Sequence, residues 1–125
     1  MNDEQPRDIF KRAKEFALRI IKLYCSLPNH KAVQVMGGQF LRSGTSLGAH
    51  LREARRGRSK AEYISKVQLG LQELDECQYW LELLKESRLV INREIDLLIK
   101  ESDELIAILT TCVKKEKAGR QTSRR

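Results

Sequence analysis

Residues 41–60 read LRSGTSLGAHLREARRGRSK, which is the most informative stretch of the chain. It begins with small residues and ends with five cations among nine positions. A glycine inside a helix costs about 1 kcal/mol relative to alanine, so Gly44 and Gly48 need a compensating structural reason. Close approach of a second helix is the usual one. The stretch therefore predicts a tightly packed helical protein with a basic corner.

The size and composition of the chain predict one domain made of helices. The chain has 125 residues, of which 33% are charged and 6% are aromatic, and it contains only two prolines. No run of 18 apolar residues is present, so we expect no membrane span. The N-terminal MNDEQPRD has no apolar signal core either. These features predict a cytoplasmic protein.

The cysteines and histidines indicate neither a disulfide framework nor a metal site. Cys25, Cys77 and Cys112 are odd in number and widely separated. We expect them to be reduced thiols that pack as small hydrophobic side chains. His30 and His50 stand at no metal-ligand spacing relative to the cysteines. We therefore expect no metal and no other cofactor.

Apolar residues recur at intervals of three and four along four segments, which predicts four helices. We place them at residues 6–25, 31–56, 60–87 and 93–117. Asn29 is expected to cap the second helix. Ser59 and Glu62 have the spacing of a capping box and are expected to open the third.

Short connections between these segments predict that consecutive helices lie side by side and antiparallel. The predicted fold is all-α, an antiparallel up-and-down four-helix bundle that occupies residues 1–117. After Ala118 the sequence GRQTSRR contains no apolar residue. Residues 118–125 are therefore predicted to form a basic disordered tail.

The second and third helices each carry a second row of residues, away from the predicted core stripe at about 100° per residue. These rows are Arg42, Ser46, Ala49 and Glu53, and Leu69, Glu73, Glu76, Trp80 and Leu83. A tryptophan and two leucines on a nominally exposed side indicate a protein partner. We predict a homo-oligomer interface here, with Arg42 pairing to Glu73 or Glu76 within or between subunits. The alternative is that Trp80 wraps onto the edge of the core.

Two segments, QFLRSGTSLGAHLREA at residues 39–54 and SKAEYISKVQLGLQELDECQYWLELL at residues 59–84, carry a resemblance to a known family. The chain resembles the bacterial four-helix-bundle proteins of the 23S ribosomal RNA intervening-sequence protein family. The resemblance implies a ring-like homopentamer, and a relation to accessory proteins of diversity-generating retroelements, which bind nucleic acid beside a reverse transcriptase. It implies structural or interfacial rather than catalytic roles for Arg42, Ser43, Ser46, Gly48, Glu53, Glu73, Glu76 and Trp80.

Two basic clusters indicate a nucleic-acid partner. The net charge of +7 divides unevenly, with +4 in residues 52–60, −6 in residues 61–113 and +5 in residues 114–125. The candidate phosphate contacts are Arg52, Arg55, Arg56, Arg58, Lys60, Lys114, Lys115 and Lys117. Antiparallel packing brings the ends of the second and fourth helices to the same end of the bundle. We therefore predict a non-enzymatic oligomer that binds structured RNA or duplex DNA through its phosphates.

Tyr63 is the only aromatic residue near the first cluster in sequence, which favours recognition of a structured duplex over base stacking.

A scaffold and an enzyme are the two other classes of function to weigh against nucleic-acid binding. If the cations form only a solvated helix end and a solubilising tail, the protein is a scaffold or protein-interaction module, for example an accessory subunit of a larger nucleoprotein complex. An enzyme is not expected: Glu73 and Glu76 lack the companion Glu-x-x-His motifs of di-iron bundles, and we expect no catalytic residue.

Overall fold

A computed structural model describes the backbone of residues 6–123 and the side chains of residues 9–119. This part of the chain forms four α-helices and no strand. The helices are α1 Pro6–Cys25, α2 Lys31–Arg55, α3 Lys60–Ser87 and α4 Arg93–Ser123. The predicted bounds agree to within one residue, except at the end of α4.

The fourth helix continues beyond the predicted end at residue 117. Residues 118–123, which were expected to belong to a disordered tail, are helical. The final segment KKEKAGRQTS contains no proline, and seven of its ten residues are lysine, glutamate, alanine, arginine or glutamine, which are strong helix formers. The absence of large apolar residues therefore does not end the helix. The rest of the predicted tail, residues 124–125, lies outside the described residues, as do residues 1–5.

The helices are arranged up and down around a square. Each packs against its neighbours in sequence, and α1 also packs against α4. Arg12 pairs with Glu101 at 2.9 Å. Further along α1, Arg19 pairs with Glu94, which is earlier on α4, at 2.9 Å. The residue numbers of the pairs run in opposite directions, so α1 and α4 are antiparallel.

Apolar side chains from all four helices fill the interior. The largest fully buried ones are Phe16, Phe40, Ile20, Leu47, Leu51, Leu74, Leu81, Leu84, Ile95, Leu98, Leu105 and Leu109. Two hydroxyl groups are buried with them and both are hydrogen-bonded, as buried polar groups must be. Ser43 donates to the Gln39 carbonyl at 2.9 Å. Ser102 donates to the Ile99 carbonyl at 2.6 Å.

Only one of the two glycines expected to make close helix contacts does so. A Cβ added at Gly44 would lie 3.0 Å from Ile20 Cγ1 and 3.1 Å from Cys77 Sγ. These neighbours are side chains of α1 and α3 rather than a helix backbone. A Cβ added at Gly48 would have only the Ala13 carbonyl oxygen near it, at 4.0 Å. The expectation of a close contact was therefore wrong for Gly48, where an added Cβ would make one ordinary van der Waals contact.

Side-chain caps fix where α2 and α4 begin. His30, rather than the expected Asn29, caps α2: its Nδ1 accepts a hydrogen bond from the Val33 backbone N–H at 3.4 Å. At the start of α4 the Asn92 side-chain oxygen accepts from the Glu94 backbone N–H at 2.9 Å. Both caps satisfy donors that a helix start leaves without an intrahelical partner.

The three cysteines occupy different environments. Cys77 is buried, and burial raises the pKa of its thiol to about 12. Cys112 is half-buried, whereas Cys25 is exposed. The expectation that all three pack inside was wrong for Cys25, because it is the last residue of α1 and lies beyond the final buried position of that helix, Leu23.

Candidate nucleic-acid interface

The two predicted basic clusters lie at the same end of the bundle. The antiparallel arrangement places the end of α2, the start of α3 and the end of α4 together. Burial raises the pKa of Tyr63, in the first turn of α3, and Cys112 and Glu116 of α4 add to this shift, so these groups are close. We call this end, with residues 52–60 and 114–117, the basic end.

The corner between α2 and α3 is held by hydrogen bonds and leaves its cations exposed. The Ser59 hydroxyl accepts from the Glu62 backbone N–H at 3.1 Å, as predicted. The Glu62 carboxylate accepts from the Arg58 backbone N–H at 2.7 Å, one residue before the position that a capping box uses. All five predicted cations are exposed: Arg52, Arg55, Arg56, Arg58 and Lys60. Among the described side chains, no carboxylate forms an ion pair with Arg52, Arg56 or Arg58.

The second cluster lies on the last turns of α4. Lys114, Lys115 and Lys117 are all exposed. Val113 is the last buried residue among the described side chains of this helix. The helix continues to Ser123, about 15 Å further at 1.5 Å per residue. Because α4 packs against α3 but not against α2, Lys60 at the start of α3 is the member of the first cluster whose helix neighbours the α4 cluster.

A groove of about 1000 Å³ runs along α1 and α2 at the basic end. Six cationic side chains from three helices line it, namely Lys11, Lys14, Arg52, Arg55, Arg56 and Lys66. Small residues leave the space open, and Ala17, Thr45, Gly48 and Ala49 are among them. Sequence reasoning missed the three lysines because two of them come from α1 and one from α3. The antiparallel helix order was the signal that could have placed them.

The two carboxylates of the groove are already engaged with groups of the protein. Glu53 pairs with Lys66 at 3.2 Å and lies 3.5 Å from His50 Nδ1. The hydrogen bond and charge of Lys66 lower the pKa of Glu53. Glu62 accepts the Arg58 backbone N–H described above. The remaining cations therefore give the groove a positive potential that favours an anionic ligand.

An aromatic residue lies beneath one of these cations. The Arg55 guanidinium carbon lies 4.4 Å from the centroid of the Phe10 ring, within the range of a cation–π interaction. Phe10 is half-buried and packs against the core, whereas Arg55 is exposed. Sequence reasoning counted only Tyr63 near the cluster and missed Phe10, which is far away in sequence and belongs to the start of α1.

The predicted second face joins α2 to α3 within a single chain. Arg42 donates to Glu76 at 2.7 Å and to Glu73 at 3.4 Å. The Trp80 indole N–H also donates to Glu76, at 3.2 Å. The hydrogen bonds from Arg42 and Trp80 lower the pKa of Glu76. The predicted pairing of Arg42 is confirmed, and it occurs within the subunit.

The other predicted residues of this face differ in exposure. Ala49, Glu53 and Leu69 are exposed, whereas Ser46, Trp80 and Leu83 are half-buried. Trp80 packs against the core, which agrees with the alternative prediction that it wraps onto the edge of the core. Tyr79, which sequence reasoning did not single out, is 54% exposed and meets Trp80 edge-on at 5.3 Å between ring centroids.

The described residues provide neither a metal-binding cluster nor a membrane-spanning helix. No group of three histidine, cysteine, aspartate or glutamate side chains there has an arrangement that could hold a metal ion. None of the four helices contains a stretch long and apolar enough to cross a lipid bilayer, as far as the described sequence extends.

Comparison with known proteins gives a family match over most of the chain. Residues 5–111 match the family model described as 23S rRNA-intervening sequence protein. A solved structure with 37% sequence identity and a TM-score of 0.80 is a protein of unknown function from the S23 ribosomal protein family of Bacteroides thetaiotaomicron. The match covers 87% of this chain and 97% of that one. No curated protein matches the chain.

Proposed function

Because the chain belongs to the 23S rRNA-intervening sequence protein family, we propose that it is a cytoplasmic, non-enzymatic protein that binds structured RNA through its basic end. Phosphate contacts position a nucleic acid without reading its bases, so the expected binding is weakly dependent on sequence.

The groove cations are the observation that carries this proposal. Six positive side chains converge from three helices, and the two carboxylates among them are engaged by Lys66 and by the Arg58 backbone. Arginine presents a planar fork of donors that matches phosphate oxygens. Binding releases the counterions condensed on the nucleic acid, and the affinity therefore falls steeply with salt.

The proposal is tested by the binding of a fluorescently labelled RNA hairpin to the full chain and to a chain that ends at Val113. The shorter chain keeps every buried residue described for α4 and loses the lysines that follow. Both chains should bind, and the shorter one more weakly, because the α4 cluster adds phosphate contacts. Absence of binding by the full chain at low salt would favour the scaffold function instead.

We also propose that the chain assembles into a homo-oligomeric ring, a pentamer by its resemblance to the family, through the face that runs from Arg42 to Leu83. The face combines exposed apolar surface at Ala49 and Leu69 with an ordered polar network at Arg42 and Glu76. Aromatic and arginine side chains are enriched at protein interfaces. A ring would repeat the basic end several times and raise the overall affinity for one RNA.

Substitution of Leu69 by arginine is expected to dissociate this oligomer while leaving each subunit helical. Leu69 is exposed in a single chain and does not line the groove, so the charged side chain costs the subunit little and blocks a partner. Trp80→Ala should act in the same direction, and Leu97→Arg, the same change at an exposed leucine of α4, is the control. The measurement is the mass in solution by light scattering together with circular dichroism. An unchanged mass for Leu69→Arg would contradict the proposed interface.

A further inference from the structure

We propose that the Arg55–Phe10 pair is a stacking platform for one unpaired base of a bound RNA, with the adjacent phosphates held by cations of the groove. This inference rests on the proposed function and adds the part of the RNA that the groove recognises. It replaces the expectation, drawn from the sequence, that the basic end lacks an aromatic support for bases.

The geometry of the pair suits a flat ligand. The guanidinium of Arg55 lies over the Phe10 ring, with its carbon 4.4 Å from the ring centroid. Contact with the Phe10 ring restricts the Arg55 side chain in the free protein, so less conformational entropy is lost when RNA binds. Arg55 is exposed, which leaves guanidinium surface available to a base. Unpaired RNA bases commonly stack on arginine planes and aromatic rings.

The space beside the pair is sufficient for a nucleotide. The groove has a volume of about 1000 Å³, at the upper end of the roughly 300–1,000 Å³ of pockets that accept drug-sized ligands. Gly48 contributes to this space because an added Cβ there would contact almost nothing. Ala17 and Thr45 also line the groove, and their small side chains occupy little of its volume.

Cations stand on both sides of the groove to receive the phosphates that flank the stacked base. Lys11 and Lys14 belong to α1, Arg52 belongs to α2, and Arg56 directly follows the last residue of α2. All four are exposed and, among the described residues, form no ion pair with a carboxylate. The phosphates on either side of a base inserted between these two rows would lie within reach of the cations.

An unpaired base fits this arrangement better than a fully paired helix does. Bases within an A-form duplex already stack on their neighbours, and their faces are not accessible to a protein side chain. A duplex would therefore use only the phosphate contacts and leave the platform empty. A bulged or looped nucleotide can use both, and we expect RNA with such a nucleotide to bind more tightly.

The experiment uses two RNA hairpins that differ by one bulged 2-aminopurine nucleotide, whose fluorescence is quenched when it stacks. Native protein should bind the bulged hairpin more tightly and quench its emission. Arg55→Lys keeps the charge but removes the planar group, so it should abolish the quenching and weaken binding of the bulged hairpin about tenfold, the order expected for one stacked base. Binding of the fully paired hairpin should change by less than about twofold, because one phosphate-binding charge is retained.

Arg93→Lys is the matched control, because it makes the same change at an exposed arginine that begins α4, at the opposite end of the bundle from the groove. It should preserve both the quenching and the preference for the bulged hairpin. Saturation of the bulged hairpin without quenching, or equal loss in both variants, would overturn the platform while leaving phosphate binding intact. Failure of both hairpins to bind, measured by anisotropy, would instead overturn the proposed function.

Discussion

Reversal of three charges at the basic end, Arg55→Glu, Arg56→Glu and Arg58→Glu together, is expected to lower the affinity for a structured RNA at least about a hundredfold near 100 mM salt. Each substitution removes a phosphate contact and adds a carboxylate that repels the RNA backbone. The salt dependence should weaken as well, by roughly one unit of slope for each lost contact. Fluorescence anisotropy over a salt series measures both effects.

A second triple variant separates local contacts from net charge. Lys22, Lys31 and Arg93 are exposed cations at the opposite end of the bundle. Their reversal to glutamate changes the net charge of the protein by the same amount. We expect this control to keep most of the affinity, because its charges are far from the groove. Equal losses in the two variants would show that binding depends on overall charge and not on the basic end.

The two glycines of α2 should respond in opposite ways to the same substitution. Gly44→Leu is expected to lower the free energy of unfolding by about 2–3 kcal/mol, because it overfills a packed interior. The added side chain would meet Ile20 and Cys77 already at its Cβ position. Gly48→Leu should be neutral or stabilise the protein by up to about 1 kcal/mol, since the site is open and leucine favours a helix more than glycine does.

Urea unfolding followed by circular dichroism at a fixed protein concentration compares the two variants. The fixed concentration matters because an oligomer gains apparent stability from association. Similar losses at both positions would mean that Gly48 is covered, by a second subunit or otherwise. A stable Gly44→Leu variant would contradict the described packing between α1, α2 and α3.

Most of the fold follows from the sequence because its local signals agree with one another. Regular apolar spacing marks the helices, and Ser59 caps α3 as expected. The α4 end was missed because its last residues include no large apolar side chain but retain strong helix propensity. The different packing of Gly44 and Gly48 follows from their angle of about 40° around the helix axis. That angle turns Gly48 towards the rim of the groove.

The candidate site was only partly predictable because it is assembled from three helices. The cations of residues 52–60 are contiguous and therefore visible in the sequence. Lys14 and Phe10 meet them only through the register of α1 against α2. That register depends on how side chains such as Ile20 pack against Gly44. Periodicity alone does not define it.

The proposal that this protein binds nucleic acid is tested most directly by the affinity of the full chain for a labelled RNA hairpin between about 50 and 200 mM salt. We predict that the logarithm of the binding constant falls linearly with the logarithm of salt concentration, with a slope of about −4.5 if each groove cation other than Lys66, which pairs with Glu53, meets a phosphate. Absence of binding at the lowest salt, or binding that does not change with salt, would contradict it. The basic end would then be a solvated surface, and the scaffold function would take its place.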